Sequence, residues 1–383
     1  YQFTTSLYHD GYIEDSILVG NLFVEGGGDP TLGSEFVEKN KEDFLKEWTG
    51  VLKGKGIKQI SGNIIVLDQL YGYDGIPGKY LWEDLGNYYA SVVTGVSVFD
   101  NFYRIVLRSF KPGAKAKILT TEPLMESMIF RNEIISGSTN SDLSYISGAP
   151  FSNKRRLGGV IPSNRSSFQI KGDIPDPGQY LATYFKSYLE QQNIFVVGKA
   201  TTYRTTPLIP ENQNLLAEYF SPALASIVRV VNEKSNNHYA ECLYKLLTIK
   251  EKINFNAFWE EKGIDPSALF IYDGSGLSAV NAVSASFVNS ILEYMYEKYG
   301  TSHAFYKSFP IVGEEGTVVA FLKNTPLEGK ARVKSGSMTN VCSYSGYIEH
   351  DNQKYIFTII VNNFRGTQTL IRTAIGDLLV SLL

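Results

Sequence analysis

The sequence predicts an α+β protein in which an α/β region, interrupted by a small all-β insertion, precedes a region rich in helices. Three observations carry this. At 383 residues the chain exceeds one ordinary core, so two or three domains are expected. Between residues 1 and 66 the apolar residues recur at strand spacing, then at helical spacing, then at strand spacing again. From 96 to 172 this gives way to short β-like runs between Ser-, Asn- and Gly-rich turns, and strong helical patterns begin after 213.

In order, Tyr1 and Phe3, then Ile17-Leu18-Val19 and Leu22-Phe23-Val24, read as strands, with Asp10-Gly11 as a hairpin turn. Gly26-Gly27-Gly28-Asp29-Pro30 breaks that pattern. A helix is expected over 35–53, with Phe36, Phe44, Leu45, Trp48 and Leu52 on one stripe, and strand returns at 60–66. Strands are expected at 103–109, 116–119 and 168–170, a helix at 177–192, and strands at 195–197 and 200–205. Ser221-Pro222 reads as an N-cap followed by proline at the first helical position, and a second helix is expected from His238 to about 248. The last elements are strands 344–349 and 355–361 around an Asp351-Asn352 turn, and a helix 368–383 striped with Leu370, Ile371, Ile375, Leu378 and Leu379. The expected division is an α/β domain of 1–95 plus 173–212, an all-β insertion of 96–172, and a last domain of 213–383.

Composition narrows the function. Hydrophobic residues at 43% and charged residues at 20% describe a folded globular chain and exclude a disordered one. A net charge of -3 with no long basic run argues against a nucleic-acid partner; the densest run, Lys154-Arg155-Arg156, reads as part of a loop. No apolar run approaches the length of a membrane-spanning helix. Cys242 and Cys342 stand a hundred residues apart and read as small buried residues. His9, His238, His303 and His350 never fall at metal-ligand spacing, so neither a metal nor another cofactor is expected. His238 reads as a capping or surface residue.

Two short segments have the residue types of a catalytic cleft. Ser235-Asn236-Asn237 lies between two helices, where a tight backbone aims a hydroxyl and an amide at one place. Lys334-Ser335-Gly336-Ser337 lies on a strand edge, where glycine admits a substrate backbone and the lysine and hydroxyls suit a carboxylate. Each alone is most simply a turn or a hairpin edge. A third segment, Asp273-Gly274-Ser275-Gly276-Leu277-Ser278, is a tight turn before a helix that starts near Ser284.

Together, S-x-N followed about a hundred residues later by K-S-G-S is the order found in active-site serine penicillin-recognising enzymes. The chain resembles the class C low-molecular-mass penicillin-binding proteins, the D-alanyl-D-alanine carboxypeptidase/endopeptidase family. Gly26 to Leu32 is similar to its G-G-D-P-T-L, and Pro77-Gly78 with Trp82 and Asp84 to its P-G-x-x-W-x-D. Asp273 to Ser278 with Asn281 is similar to D-G-S-G-L-S-x-x-N, and Phe309 to Gly313 with Gly316-Thr317 to L-P-x-A-G-x-x-G-T. Lys334 to Gly346 completes the likeness, which runs in order along the whole chain.

The resemblance implies a transpeptidase/β-lactamase-like domain with an inserted α/β domain that itself carries the all-β insertion. It implies acyl transfer on peptidoglycan stem peptides, with β-lactam antibiotics trapped as acyl-enzymes, in the periplasm or another extracytoplasmic part of the bacterial envelope. By the same resemblance Ser235 relays a proton to the leaving amine, Asn237 binds the substrate amide and Lys334 holds the substrate carboxylate. The Ser335 and Ser337 hydroxyls bind that carboxylate beside Gly336, and the Ser337 N–H serves the oxyanion hole. Met338 and Asp100 would line the stem-peptide pocket. Three departures stand out: Asn236 where relatives have Asp, Ser335 where they have Thr, and Ala279 where many have a basic residue. No serine here is followed three residues later by lysine. The family's nucleophilic S-x-x-K is therefore expected outside this chain, before the strand-like Tyr1 to Thr5. A catalytically inactive wall-binding or scaffolding relative is the competing expectation.

Overall fold

The computed structural model describes residues 1–210 and 212–382. They form two units, Tyr1–Pro222 and Ala223–Leu383.

The first unit begins with β1 (Thr4–His9), β2 (Tyr12–Glu14), β3 (Ile17–Val19) and β4 (Leu22–Gly26), followed by α1 (Asp43–Gly54), β5 (Gln59–Ile60) and β6 (Ile64–Leu67). Next come β7 (Phe102–Arg108), β8 (Lys117–Glu122), β9 (Ile129–Asn132), β10 (Ile135–Gly137), β11 (Leu143–Ser147), β12 (Lys154–Pro162) and β13 (Phe168–Asp173). The unit ends with α2 (Pro177–Gln191), β14 (Phe195–Val196), β15 (Ala200–Thr202) and β16 (Asn214–Phe220). A mixed sheet in the order β15-β6-β4-β1-β16 buries Leu7, Leu22, Val24, Ile64 and Val66 against Phe44, Trp48 and Leu52 of α1 and Leu181, Phe185 and Leu189 of α2. Both helices repeat apolar residues three and four apart, which puts one stripe on the sheet. The segment 102–173 folds into separate sheets, β13-β7-β8 and a sheet of β10, β12, β11 and β9. These enclose their own core of Tyr103, Ile105, Leu107, Ile146, Leu157 and Ile170.

Three local expectations are corrected by contacts distant in sequence. Helix α1 starts at Asp43, not near residue 35. The segment before it is held in turns: Asp100 Oδ2 accepts the Glu35 N–H (3.0 Å), and Glu35 pairs with Arg104 (2.6 Å) and Lys41 (2.9 Å). The basic run at 154–156 opens strand β12, and the Arg155 guanidinium is buried on Asp173 (2.8 Å). Ser221 does not cap a helix. Its Oγ accepts the Phe3 N–H (2.9 Å), and the helix begins after Ala223. Strand β16 pairs antiparallel with β1 inside the first unit.

In the second unit α3 (Leu224–Lys234) and α4 (Asn237–Lys245) adjoin, and a π-helical turn at Leu246–Lys250 ends the second helix. Helix α5 (Phe255–Glu261), the short pair β17 (Leu269–Phe270) and β18 (Ala282–Val283), α6 (Ala285–Tyr299) and α7 (Ala304–Ser308) follow. The chain closes with β19 (Ala331–Met338), β20 (Val341–His350), β21 (Gln353–Asn362) and α8 (Gln368–Ser381). Asp351 and Asn352 both take positive φ in the two-residue β20–β21 turn, the conformation their short polar side chains tolerate best. Val333, Cys342, Tyr344 and Ile348 of the sheet pack with Val312, Phe321 and Leu327 and with Ile375 and Leu379 of α8. Leu370 and Leu378, expected on the same stripe, are exposed. Cys242 and Cys342 are buried free thiols.

Candidate active site

Ser235 terminates α3 in the left-handed conformation (φ 52°, ψ 49°). That residue reverses the chain, and Asn236 then caps α4, its side chain accepting the Tyr239 N–H (3.0 Å). Asn and Asp cap about equally well, so Asn236 keeps the geometry with one charge fewer. Asn237 is the first residue of α4. The S-x-N spacing is thus a helix stop, a cap and a helix start in three consecutive residues.

Lys334 lies on β19, whose register with β20 pairs Lys334 with Ser345, Ser335 with Tyr344, Gly336 with Ser343 and Ser337 with Cys342. Lys334 Nζ donates to Ser235 Oγ (2.8 Å) and to the Ser335 carbonyl (2.6 Å). The sequence separates these two side chains by 99 residues, and the fold joins them. Burial lowers the Lys334 ammonium to about 8, because desolvation disfavours its charged form.

Strand alternation puts Ser335 and Ser337 on the opposite face from Lys334 and Gly336. The Ser335 hydroxyl pairs with that of Thr317 (2.9 Å), from the segment similar to G-x-x-G-T. A Cβ on Gly336 would stand 2.6 Å from Ser343 Oγ, a hydroxyl that would have to rotate away. Met338 accepts at its carbonyl from Gln368 Nε2 (2.7 Å), which ties the strand end to α8. The outer edge of β19 is covered at its start, where Ile311 pairs with Arg332 and the Val333 N–H donates to Pro310 O. Beyond Val333, no strand among the described residues pairs with that edge, so the Ser335–Ser337 backbone is open to an added strand.

Asp100 belongs to the first unit. It is buried at positive φ and its carboxylate accepts the Glu35 N–H. Sequence reasoning passed over the support beneath Asn237. His238 is buried rather than exposed; its Nε2 lies 3.7 Å from Cys242 Sγ, one turn on, and burial lowers it to about 3, so it stays neutral. Glu241, also buried, accepts the Gly274 N–H (2.7 Å), and burial raises its carboxyl to about 7. The loop after Gly274 is organised by Asp273, which accepts the backbone N–H groups of Gly276 (2.6 Å), Leu277 (3.1 Å) and Ser278 (3.0 Å) and the Asn281 amide (2.7 Å). A glutamate four residues past a motif asparagine stands in the sequence, but its burial belongs to the fold.

The D-Ala-D-Ala carboxypeptidase 3 (S13) family matches residues 1–381. The D-alanyl-D-alanine carboxypeptidase DacB of Haemophilus influenzae is 24% identical over 379 residues, covering 95% of this chain and 76% of that protein. The crystal structure of penicillin binding protein 4 from Haemophilus influenzae is similar with a TM-score of 0.82 at 22% identity, covering 100% of this chain and 86% of that one. The same protein complexed with a novel β-lactam gives a TM-score of 0.76 at 21% identity, with the same coverage. This likeness establishes the α+β fold.

Proposed function

The chain belongs to the D-Ala-D-Ala carboxypeptidase 3 (S13) family, and from that premise we propose that it is a penicillin-binding serine D-Ala-D-Ala carboxypeptidase/endopeptidase acting through an acyl-enzyme. The observation that carries the reading is the 2.8 Å contact between Lys334 Nζ and Ser235 Oγ beside an open strand edge. A peptide added along the β19 edge brings its terminal carboxylate between the two faces of the strand, where the Lys334 ammonium approaches from one side and the Ser335, Ser337 and Thr317 hydroxyls from the other. The Ser337 N–H then points toward the developing oxyanion, and the Asn237 amide donates to the substrate amide carbonyl.

Lys334 donates to Ser235 Oγ, which leaves the Ser235 O–H to hand its proton to the leaving amine nitrogen. The attacking hydroxyl belongs to none of these residues, since no serine of the chain has a lysine three positions on. Gly336 admits the substrate backbone, while Met338 is proposed to contact the stem-peptide side chain. The substrate is a peptidoglycan stem peptide or its cross-link, β-lactams are the trapped mimics, and the place of action is the periplasm or another extracytoplasmic compartment of the bacterial envelope. The β-lactam complex of the Haemophilus influenzae protein supports the ligand class.

The test uses the protein as its own cells make it. Incubation with a fluorescent penicillin should give a covalent adduct, and a D-Ala-D-Ala pentapeptide should release D-alanine. A folded protein that does neither is the inactive wall-binding relative instead.

A further inference from the structure

We infer that Glu241 is a positioning residue for the Ser235–Asn237 segment, bolting the loop that begins at Gly274 onto α4; this rests on the reading of that segment given above. Glu241 lies four residues after Asn237, one turn further along the same face of α4. Its Oε2 accepts the Gly274 N–H at 2.7 Å, and the contact is close all round. A Cβ on Gly274 would stand 2.4 Å from the Ala240 carbonyl and 2.4 Å from Tyr244 Cβ, so the loop backbone rests directly on the helix.

The loop is stiff enough to act as an anchor, because Asp273 gathers three of its backbone N–H groups and the Asn281 amide. Ser275 Oγ also donates to Asp273 (2.9 Å). The charges that face Glu241 are Asp273 from the loop and Lys245 from the next turn of α4. All three are buried.

Two carboxylates and a lysine buried together are a poor way to gain stability, since apolar residues of similar volume serve as well or better. Their arrangement does fix a direction. The helix cannot slide along its axis or turn about it without breaking the Glu241–Gly274 bond, and the residues that such a slip displaces first are Asn237, Asn236 and Ser235. A displacement of about 1 Å at a reacting group costs on the order of a hundredfold in rate.

The experiment compares penicillin acylation rates of the protein as its cells make it with those of Glu241→Ala, Glu241→Gln and Lys334→Ala, each normalised to folded protein by circular dichroism. Glu241→Ala should acylate about 10- to 100-fold more slowly. Glu241→Gln keeps a carbonyl oxygen for the Gly274 N–H and should return to within about threefold of the unaltered rate. If Glu241→Ala does not fold, Glu241→Asp, one methylene too short to reach, carries the same expectation. A folded Ala or Asp variant acylating at the unaltered rate overturns the inference, and so does a Gln variant as slow as Ala. Unaltered protein that forms no adduct, or Lys334→Ala that acylates normally, refutes the underlying site reading instead and removes the positioning role with it.

Discussion

Lys334 should impose an alkaline limit on acylation. Its ammonium titrates at about 8, against an ordinary 10.5. The cation proposed to hold the substrate carboxylate is then about 90% charged at pH 7 and about 10% charged at pH 9, so acylation should fall roughly ninefold across that interval. The fall is separable from unfolding by its sign. The folded state releases this proton at about 8 and the unfolded chain not until about 10.5, so between those values raising the pH favours the folded state through this group. Activity is lost where this contribution to stability grows. The assay is the second-order rate of labelling by fluorescent penicillin from pH 6 to 10, with melting temperature measured alongside. Lys334→Arg, whose guanidinium stays charged throughout, should be slower at every pH but have nearly equal rates at pH 7 and 9. A full rate at pH 9.5 in the unaltered protein would refute the reasoning, as would the same decline in the Arg variant.

In the first unit, Arg155→Ala strands the buried Asp173 carboxylate and should destabilise that unit by about 3–5 kcal/mol in urea unfolding. A loss below 1 kcal/mol would show that the pair is not desolvated. Gly346→Ala would place a Cβ 2.1 Å from the Arg332 carbonyl, backbone that cannot step aside, so β19 and β20 must separate locally. Its thermal midpoint should drop by several degrees, with β-lactam acylation falling in the protein that remains folded. Asp273→Ala removes the acceptor for Gly276, Leu277 and Ser278, and their amides should lose hydrogen-exchange protection by at least tenfold while those of β20 keep theirs.

Much of this was legible in the sequence where the determinants are local. The Asp351-Asn352 turn, the Ser284 cap of α6 and the helix beginning at Pro177 follow from a few neighbouring residues and sit where such residues put them. Ser235 and Lys334 were legible through the order of their motifs, and the fold brings them within hydrogen-bond distance. The failures share a cause. Phe36 falls at helical spacing from the α1 stripe, but a carboxylate 65 residues later accepts the Glu35 N–H, and residues 35–42 lie in turns and bends. Ser221-Pro222 has the signature of a helix start, but its hydroxyl answers an amide 218 residues earlier. Arg155 lies in a run that reads as surface charge, yet it is buried because Asp173 comes to it from the next strand. The Thr317–Ser335 hydroxyl pair and the Glu241–Gly274 bond are likewise products of tertiary structure, visible only once the loops are folded.

The left-handed backbone at Ser235 sets stability against chemistry at a single position. Glycine adopts that conformation without steric cost, whereas a residue with a Cβ pays about 1 kcal/mol for it. A library of variants sorted only for resistance to heat should therefore enrich Ser235→Gly, and in doing so discard the hydroxyl that Lys334 grips. The same library sorted for penicillin labelling should retain serine.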